Sequence, residues 1–321
     1  MTITIESVRE QCRELDWPAR FESLARLAKD VPADQRAAIA DLRAEWADHA
    51  LLEMQANQDV APVKNAILNS SSKQMRAAVG QAAKRARDRY ITQLMSGGGS
   101  LPTERFAAGL DERVLEIPLA LGTARLQEPG DVLDAGSALN LPLVRAIVGR
   151  PCARVTHFTQ SEAAEPRLPG DEDRYARAFG DLRRLEFPDA AFDRVVCVST
   201  LEHVGMDNDR YGAAAEQAPD TATGAVAELV RVLAPGGELL ISVPYGKAAS
   251  HGWFRIFDAD GLRRLLVPLR ALRVEERFFY HVRGWAEDGP QPPASVLEAK
   301  VAADVITGVA VVRAWNDRGS R

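Results

Sequence analysis

The side chains best suited to chemistry in this sequence are two histidines that each follow an apolar run. His203 stands in STLEHVG with Glu202 beside it, and His251 stands in YGKAASHGWFRIF. An imidazole titrates near neutral pH and can take a proton from a hydroxyl, so each is a candidate general base. A third feature is GDVLDAGSALN, from Gly130 to Asn140: an apolar run ending in Asp134, then the small residues Ala135, Gly136 and Ser137, then a helix expected over Pro142 to Val148. A glycine at that place lets main chain approach a ligand, and the N–H groups of a helix start face it. Cys12, Cys152 and Cys197 follow no metal or disulfide spacing and read as reduced thiols. No set of acids and histidines has convincing metal-ligand spacing. Glu202, His203, Asp207 and Asp209 read as solvated loop residues rather than magnesium ligands, and no metal is expected.

These groups must be positioned by a scaffold, and the chain changes character along its length. Residues 1–95 are rich in Ala, Arg, Glu, Leu and Gln and contain no convincing strand, which predicts a helical accessory region. Pro18 and Pro32 break its first stretches. ADQRAAIADLRAEWADHALLEMQ predicts a long amphipathic helix with Ile39, Leu42, Trp46 and Leu51 near one face, and a further helix is expected from Ser72 to Met95. On that helix Lys73, Arg76, Lys84, Arg85, Arg87 and Arg89 recur, so the region is expected to act as a lid or oligomerisation surface that brings positive charge towards an acceptor. The glycines of SGGGSLP place a linker over residues 96–104, and a second domain fills 105–321. There, short apolar runs alternate with helical stretches, the rhythm of a parallel sheet. Strands are expected at Asp131 to Ala135, Arg154 to Phe158, Arg194 to Ser199, Glu238 to Val243, Arg273 to Tyr280 and Ile306 to Trp315.

Two further blocks complete a pattern with the first. GDLRRLEFPDAAFDRVVCVSTLEHVG, Gly180 to Gly205, sets Asp181 and apolar Leu182 before a turn and a buried strand. ELVRVLAPGGELLISVPYG, Glu228 to Gly246, passes from a helix end through a Pro-Gly-Gly turn into an apolar strand. In order and spacing the three blocks resemble those of class I S-adenosylmethionine-dependent methyltransferases. The wording of LDAGSALN, GDLRRLEFPD and STLEHVGMDNDRYG is similar to a bacterial subgroup found with surface polysaccharide genes. The resemblance covers about residues 105 to 315. It implies an α/β fold, a Rossmann-like, mostly parallel sheet of seven strands with a final antiparallel strand, and S-adenosylmethionine as cofactor. By the same resemblance Asp134, Ala135, Gly136 and Ser137 border the methionine part, Asp181 accepts from the adenine amino group, Leu182 covers the ring, and Ser199 and Leu201 line the far side. The sequence departs from the family in two places. The loop GSALN has a single glycine, and Thr159 stands where an acid usually holds the ribose hydroxyls, leaving Thr159, Glu162 or neither for that task.

The resemblance also frames the acceptor. Methyl transfer to a hydroxyl needs a base, for which His203, Glu202 and His251 are the candidates, while Tyr245, Trp253 and Arg255 offer a stacking face and a donor for a sugar. Nitrogen methylation in related enzymes uses an Asn-Pro-Pro-aromatic stretch where this chain reads STLEHV, so oxygen is favoured. The expected function is O-methylation of a sugar or glycan hydroxyl. The alternatives are O-methylation of a hydroxylated natural product, or a methyltransferase-like binding protein without activity. A formal charge of −5 argues against a nucleic-acid partner. The absence of any run near the roughly 20 apolar residues of a membrane helix, and of a signal peptide, leads to the expectation of a cytoplasmic protein.

Overall fold

A computed structural model describes residues 4–57, 62–162, 168, 173–209, 221–299 and 305–317. Five helices come first: α1 (Ile5–Gln11), α2 (Trp17–Asp30), α3 (Ala33–Ala56), α4 (Lys64–Asn69) and α5 (Lys73–Ser96). Both prolines mark helix starts, where a missing N–H costs nothing. Pro18 lies in the first turn of α2, capped by Asp16 accepting from Ala19 N at 2.9 Å, and Pro32 immediately precedes α3. Ile39, Leu42, Trp46 and Leu51 are buried as the spacing requires. Ser72 caps α5, whose Met75, Ala78, Val79 and Ala82 form one stripe against these helices. Beyond a further turn or two the same helix turns Ile91 into a different core, the one beneath the sheet. Gly98 and Gly99, with φ of +102° and +76°, end it.

The second part runs α6 (Arg113–Ala124), β1 (Asp131–Ala135), α7 (Pro142–Val148), β2 (Arg154–Thr159), β3 (Tyr175–Phe179), β4 (Phe192–Val198), α8 (Ala222–Val232), β5 (Leu233–Pro244), the short hairpin β6 (Ala249–Ser250) and β7 (Arg255–Ile256), α9 (Ala259–Leu265), β8 (Arg273–His281), β9 (Trp285–Asp288), α10 (Ala294–Glu298) and β10 (Gly308–Trp315). The sheet order is β3-β2-β1-β4-β5-β10-β8-β9. The first five strands are parallel, and β10 inserts antiparallel between β5 and β8. The expected final antiparallel strand is present, starting at Gly308 rather than Ile306. The sheet has eight strands rather than seven, because β9 folds back on β8 with His281 opposite Trp285.

Residues alternate across the sheet. Val132, Val196 and Leu240 join Val114, Leu115 and Ile117 of α6 on one face, while Leu133, Val195, Cys197 and Leu239 meet Ala225, Val226 and Leu229 of α8 on the other. The N-terminal helices are tied to this body by main chain as well. Val63 N donates to Gly109 O at 2.7 Å, and Phe106 exchanges two hydrogen bonds with Trp285 on the edge strand. No helix among the described residues is long and apolar enough to cross a membrane. The chain leaves β1 towards β2 and β3 on one side and returns to β4 on the other, so the loops after β1 and β4 flank a switch point, where open α/β sheets bind ligands.

Candidate active site

A cavity of about 370 Å³ opens at that switch point, walled by residues that follow β1, β2, β3 and β4. Its floor is the meeting of two loops. Gly136 has φ +102°, and a Cβ there would run into the Thr200 side chain, so only glycine fits. Ser137 and Ser199, neither of them glycine, also hold positive φ (+57° and +42°), a strained conformation that a packed site must impose. Ser199 is held by its hydroxyl, which donates to Glu116 Oε1 at 2.7 Å. Ser137 lines the cavity, and its buried Oγ makes no hydrogen bond among the described residues.

Of the residues expected from sequence, Gly136, Ser137, Thr159, Asp181, Leu182, Ser199 and His203 line this cavity. Asp134 and Ala135 do not. Asp134 is fully buried beneath the loop, where Oδ2 accepts from Leu139 N at 2.9 Å and pairs with His157 Nδ1 at 2.8 Å. Its part is to brace the loop. Leu201 is also outside the lining, because a 3₁₀ turn over Leu201–His203 rotates it into the core and leaves Thr200 at the wall. Glu162 is exposed and pairs with Arg177 at 3.2 Å, whereas Gln160, beside Thr159, lines the cavity.

Asp181 and Leu182 follow β3. Hydrogen bonds from Arg183, the closest at 2.6 Å, hold the Asp181 carboxyl below its usual range against the opposing effect of partial burial. Leu182 is buried beside it as an apolar wall. At the other end of the wall His203 Nδ1 lies 2.8 Å from the Trp253 carbonyl, with the two rings stacked at 4.9 Å. A carbonyl only accepts, so Nδ1 carries the proton, and in the neutral ring Nε2 is the basic atom.

The same turn buries Glu202 outside the lining, with Oε1 3.9 Å from His203 Nε2. Burial, with Glu116 and Glu112 nearby, pushes its carboxyl up to about 8, despite a main-chain hydrogen bond and Arg113 acting to lower it. His251 is likewise outside the lining. The β6–β7 hairpin stacks it on Phe254 at 4.7 Å and presents the Trp253 carbonyl to the site instead. Tyr245 is buried with its hydroxyl donating to Pro290 O at 2.8 Å, and Arg255 donates to the Val204 carbonyl, so neither lines the cavity. Sequence reading missed Thr200, Gln160, Arg87 and Arg113 in the lining. Of these only Arg87 left a signal, as one of the basic residues of α5. Among the described residues no group of three or more His, Cys, Asp or Glu could hold a metal ion.

Residues 133–241, from β1 to β5, match the family model described as a methyltransferase domain, a match over about a third of the chain. Over this segment the chain is similar to a methyltransferase domain. The cavity fits S-adenosylmethionine, the donor that the sequence resemblance implies: a main-chain cradle at Gly136, a buried hydroxyl without a hydrogen bond among the described residues at Ser137, and a carboxylate beside an apolar wall at Asp181 and Leu182. Among solved structures the chain is similar to the Burkholderia thailandensis 1,6-didemethyltoxoflavin-N1-methyltransferase with bound 1,6-didemethyltoxoflavin and S-adenosylhomocysteine (17% identity, 74% of this chain and 89% of that one, TM-score 0.38). It is similar also to the cyclase SpnF (19%, 81% and 98%, 0.42) and to an S-adenosylmethionine-dependent methyltransferase from Mesorhizobium loti (15%, 62% and 97%, 0.39). No curated protein matches the chain.

Proposed function

We propose that the enzyme methylates a hydroxyl oxygen of a small acceptor, a sugar hydroxyl foremost, with His203 as the base. The observation that carries this reading is the place of His203 on the cavity wall with Nδ1 hydrogen-bonded to the Trp253 carbonyl, a tautomer whose ring lone pair is on Nε2. The donor, when bound, supplies an electrophilic methyl on a sulfonium. The acceptor oxygen bonds to that methyl as the carbon–sulfur bond breaks, the electron pair stays on sulfur, and His203 Nε2 takes the hydroxyl proton. In this reading Asp181 accepts from the adenine amino group, Thr159 and Gln160 meet the ribose hydroxyls, and main chain at Gly136 and Ser137 holds the amino-acid part. Alignment of the two reactants contributes most, potentially ~7–11 kcal/mol, and a general base about 10²–10⁴-fold.

The test is mass spectrometry of purified enzyme with S-adenosylmethionine and a panel of sugars, nucleotide sugars and hydroxylated natural products, followed by His203→Asn on whichever acceptor gains a methyl group. Turnover is expected to drop about 10²–10⁴-fold while S-adenosylhomocysteine still binds. Turnover within a few-fold of wild type would remove the base from this reading, and methylation confined to nitrogen acceptors would remove the hydroxyl.

A further inference from the structure

A second cavity, of about 750 Å³, lies beyond the first along the same edge of the sheet. The first is walled by residues that follow β1 to β4. The second is walled by the chain after β5, which runs parallel to β4 and beside it, together with the β6–β7 hairpin, α9 and the start of α8. A single turn separates the two: His203, Val204 and Gly205 line the first cavity, and Met206 lines the second. Met206 N donates to His203 O at 3.1 Å, so the ends of that turn lie within about 7 Å of each other. The hairpin fastens the turn at three points. Trp253 O accepts from His203 Nδ1 at 2.8 Å, Gly252 O accepts from Asp207 N at 3.1 Å, and Arg255, on the wall of the second cavity, donates to the carbonyl of Val204, on the wall of the first.

The second cavity has its own chemistry. Among the described residues its charged side chains are Arg255, Arg264 and Asp258. Asp258 caps α9, with Oδ1 accepting from Gly261 N at 2.7 Å. Arg264, in the last turn of the same helix, is exposed, and its side chain makes no ion pair among the described residues. Two guanidiniums against one carboxylate leave the wall positive, and a guanidinium fork matches the oxygens of a phosphate. Buried Phe257 and Leu265 add an apolar side. With the first cavity, about 370 Å³, given to the donor, the bulk of an acceptor must be housed elsewhere, and the second is the larger space.

We propose that the second cavity seats the phosphate-bearing part of the acceptor, whose reactive hydroxyl reaches past the His203–Met206 turn to the base. This rests on the reading that a hydroxyl acceptor meets the donor at His203. It narrows the acceptor to a sugar or other alcohol that carries a phosphate, held by Arg264 and Arg255. The hairpin then serves both substrates, since it fixes His203 on one side and binds the acceptor's anion on the other.

The experiment is calorimetric titration of the full chain with pyrophosphate, with and without saturating S-adenosylhomocysteine. Pyrophosphate is expected to bind in both cases. Arg264→Gln should weaken it about tenfold, the low end for charge-assisted bonds because the side chain is exposed, and Arg264→Lys should recover part of the loss. Arg263→Gln is the control: that neighbour pairs with Asp260 at 2.7 Å outside the cavity lining, and its loss should change pyrophosphate affinity less than about twofold. Affinity for S-adenosylhomocysteine should be unchanged in all three variants. In the methylation panel a phosphorylated sugar should be preferred to its unphosphorylated counterpart, and Arg264→Gln should raise its KM with kcat retained. Absence of pyrophosphate binding, equal effects of Arg263→Gln and Arg264→Gln, or displacement of pyrophosphate by S-adenosylhomocysteine overturns the anion seat. Turnover confined to uncharged acceptors overturns its assignment to the acceptor. Failure of every acceptor in the panel overturns the hydroxyl-acceptor reading and that assignment together, and Arg264-dependent pyrophosphate binding distinguishes this result from loss of the seat itself.

Discussion

Replacing Asp181 with alanine separates binding from stability, because the carboxylate sits where both can be computed from its surroundings. Its side chain is 45% exposed and engages Arg183 through both oxygens, with a further bond at 2.8 Å from Arg183 N. An ion pair that open to solvent contributes about 0–1 kcal/mol to folding, so the melting temperature should barely move. The lowered carboxyl range means that even this small contribution is present at neutral pH and is lost only as pH falls through the folded value. Donor binding is different. Enclosing the adenine removes water from a charge-assisted hydrogen bond, and losing such a bond costs about 1.5–3 kcal/mol. At about 1.4 kcal/mol per tenfold, Asp181→Ala should weaken S-adenosylhomocysteine about 10- to 150-fold in a calorimetric titration. Asp181→Asn, which keeps one acceptor oxygen, should fall between. Unchanged affinity in Asp181→Ala would refute the adenine assignment and leave the residue as a partner of Arg183 alone.

Gly136→Ala should lose about 2–5 kcal/mol in denaturant unfolding, from a left-handed alanine and a clash with Thr200, and the loss should shrink when Thr200→Ala is added; a neutral variant would contradict the close approach of the two loops. Leu201→Ala should cost about 2–5 kcal/mol as a fully buried leucine, with S-adenosylhomocysteine affinity little changed, and a selective loss of affinity would return it to the cofactor wall. For Glu202 the folded carboxyl is raised from 4.5 to about 8, so the folded state binds a proton that the unfolded state has released. Its stabilisation is complete at acid pH and lost as pH rises through that window. Glu202→Gln should therefore flatten the decline of stability between about pH 4.5 and 8, measured by urea midpoints, and an unaltered slope would place the charge elsewhere.

What could be read from sequence follows from how local each feature is. The β1 loop and the Asp181-Leu182 pair were legible because a strand period, a glycine and an acid are set within a few residues of one another. The central strands were legible because burial on both faces makes them continuous apolar runs. Tyr175–Phe179 and Trp285–Asp288 were not, since YARAF and WAED are short sheet-edge segments without an apolar run. Arg113 left no trace because its meaning lies in a tertiary contact with Glu116 and through it with Ser199 and Ser242. Leu201 and Glu202 were misplaced for a related reason: one 3₁₀ turn decides which of four consecutive residues face the cavity, and spacing alone does not reveal it.

The two strained serines share a construction. Ser137 and Ser199 both hold left-handed backbone at the cavity edge, and beside each a buried carboxylate accepts hydrogen bonds, Asp134 from Leu139 N and His157, Glu116 from Ser199, Ser242 and Arg113. A conformation costing of order 1–3 kcal/mol persists only where the surroundings over-determine it, and a buried carboxylate left without its donors would cost more still. Each loop and its acid thus enforce one another, and the loops meet where Gly136 touches Thr200. Glu116 has a second duty through Arg113. The same side chain that fixes the β4 loop also fixes a guanidinium of the cavity wall, so Glu116→Gln should disturb both together. Loosening Glu116 should therefore lower both the urea midpoint and the affinity for S-adenosylhomocysteine, and His157→Ala, which loosens the Asp134 side, should do the same, whereas lost stability with unchanged affinity would show that the two loops do not shape the cavity.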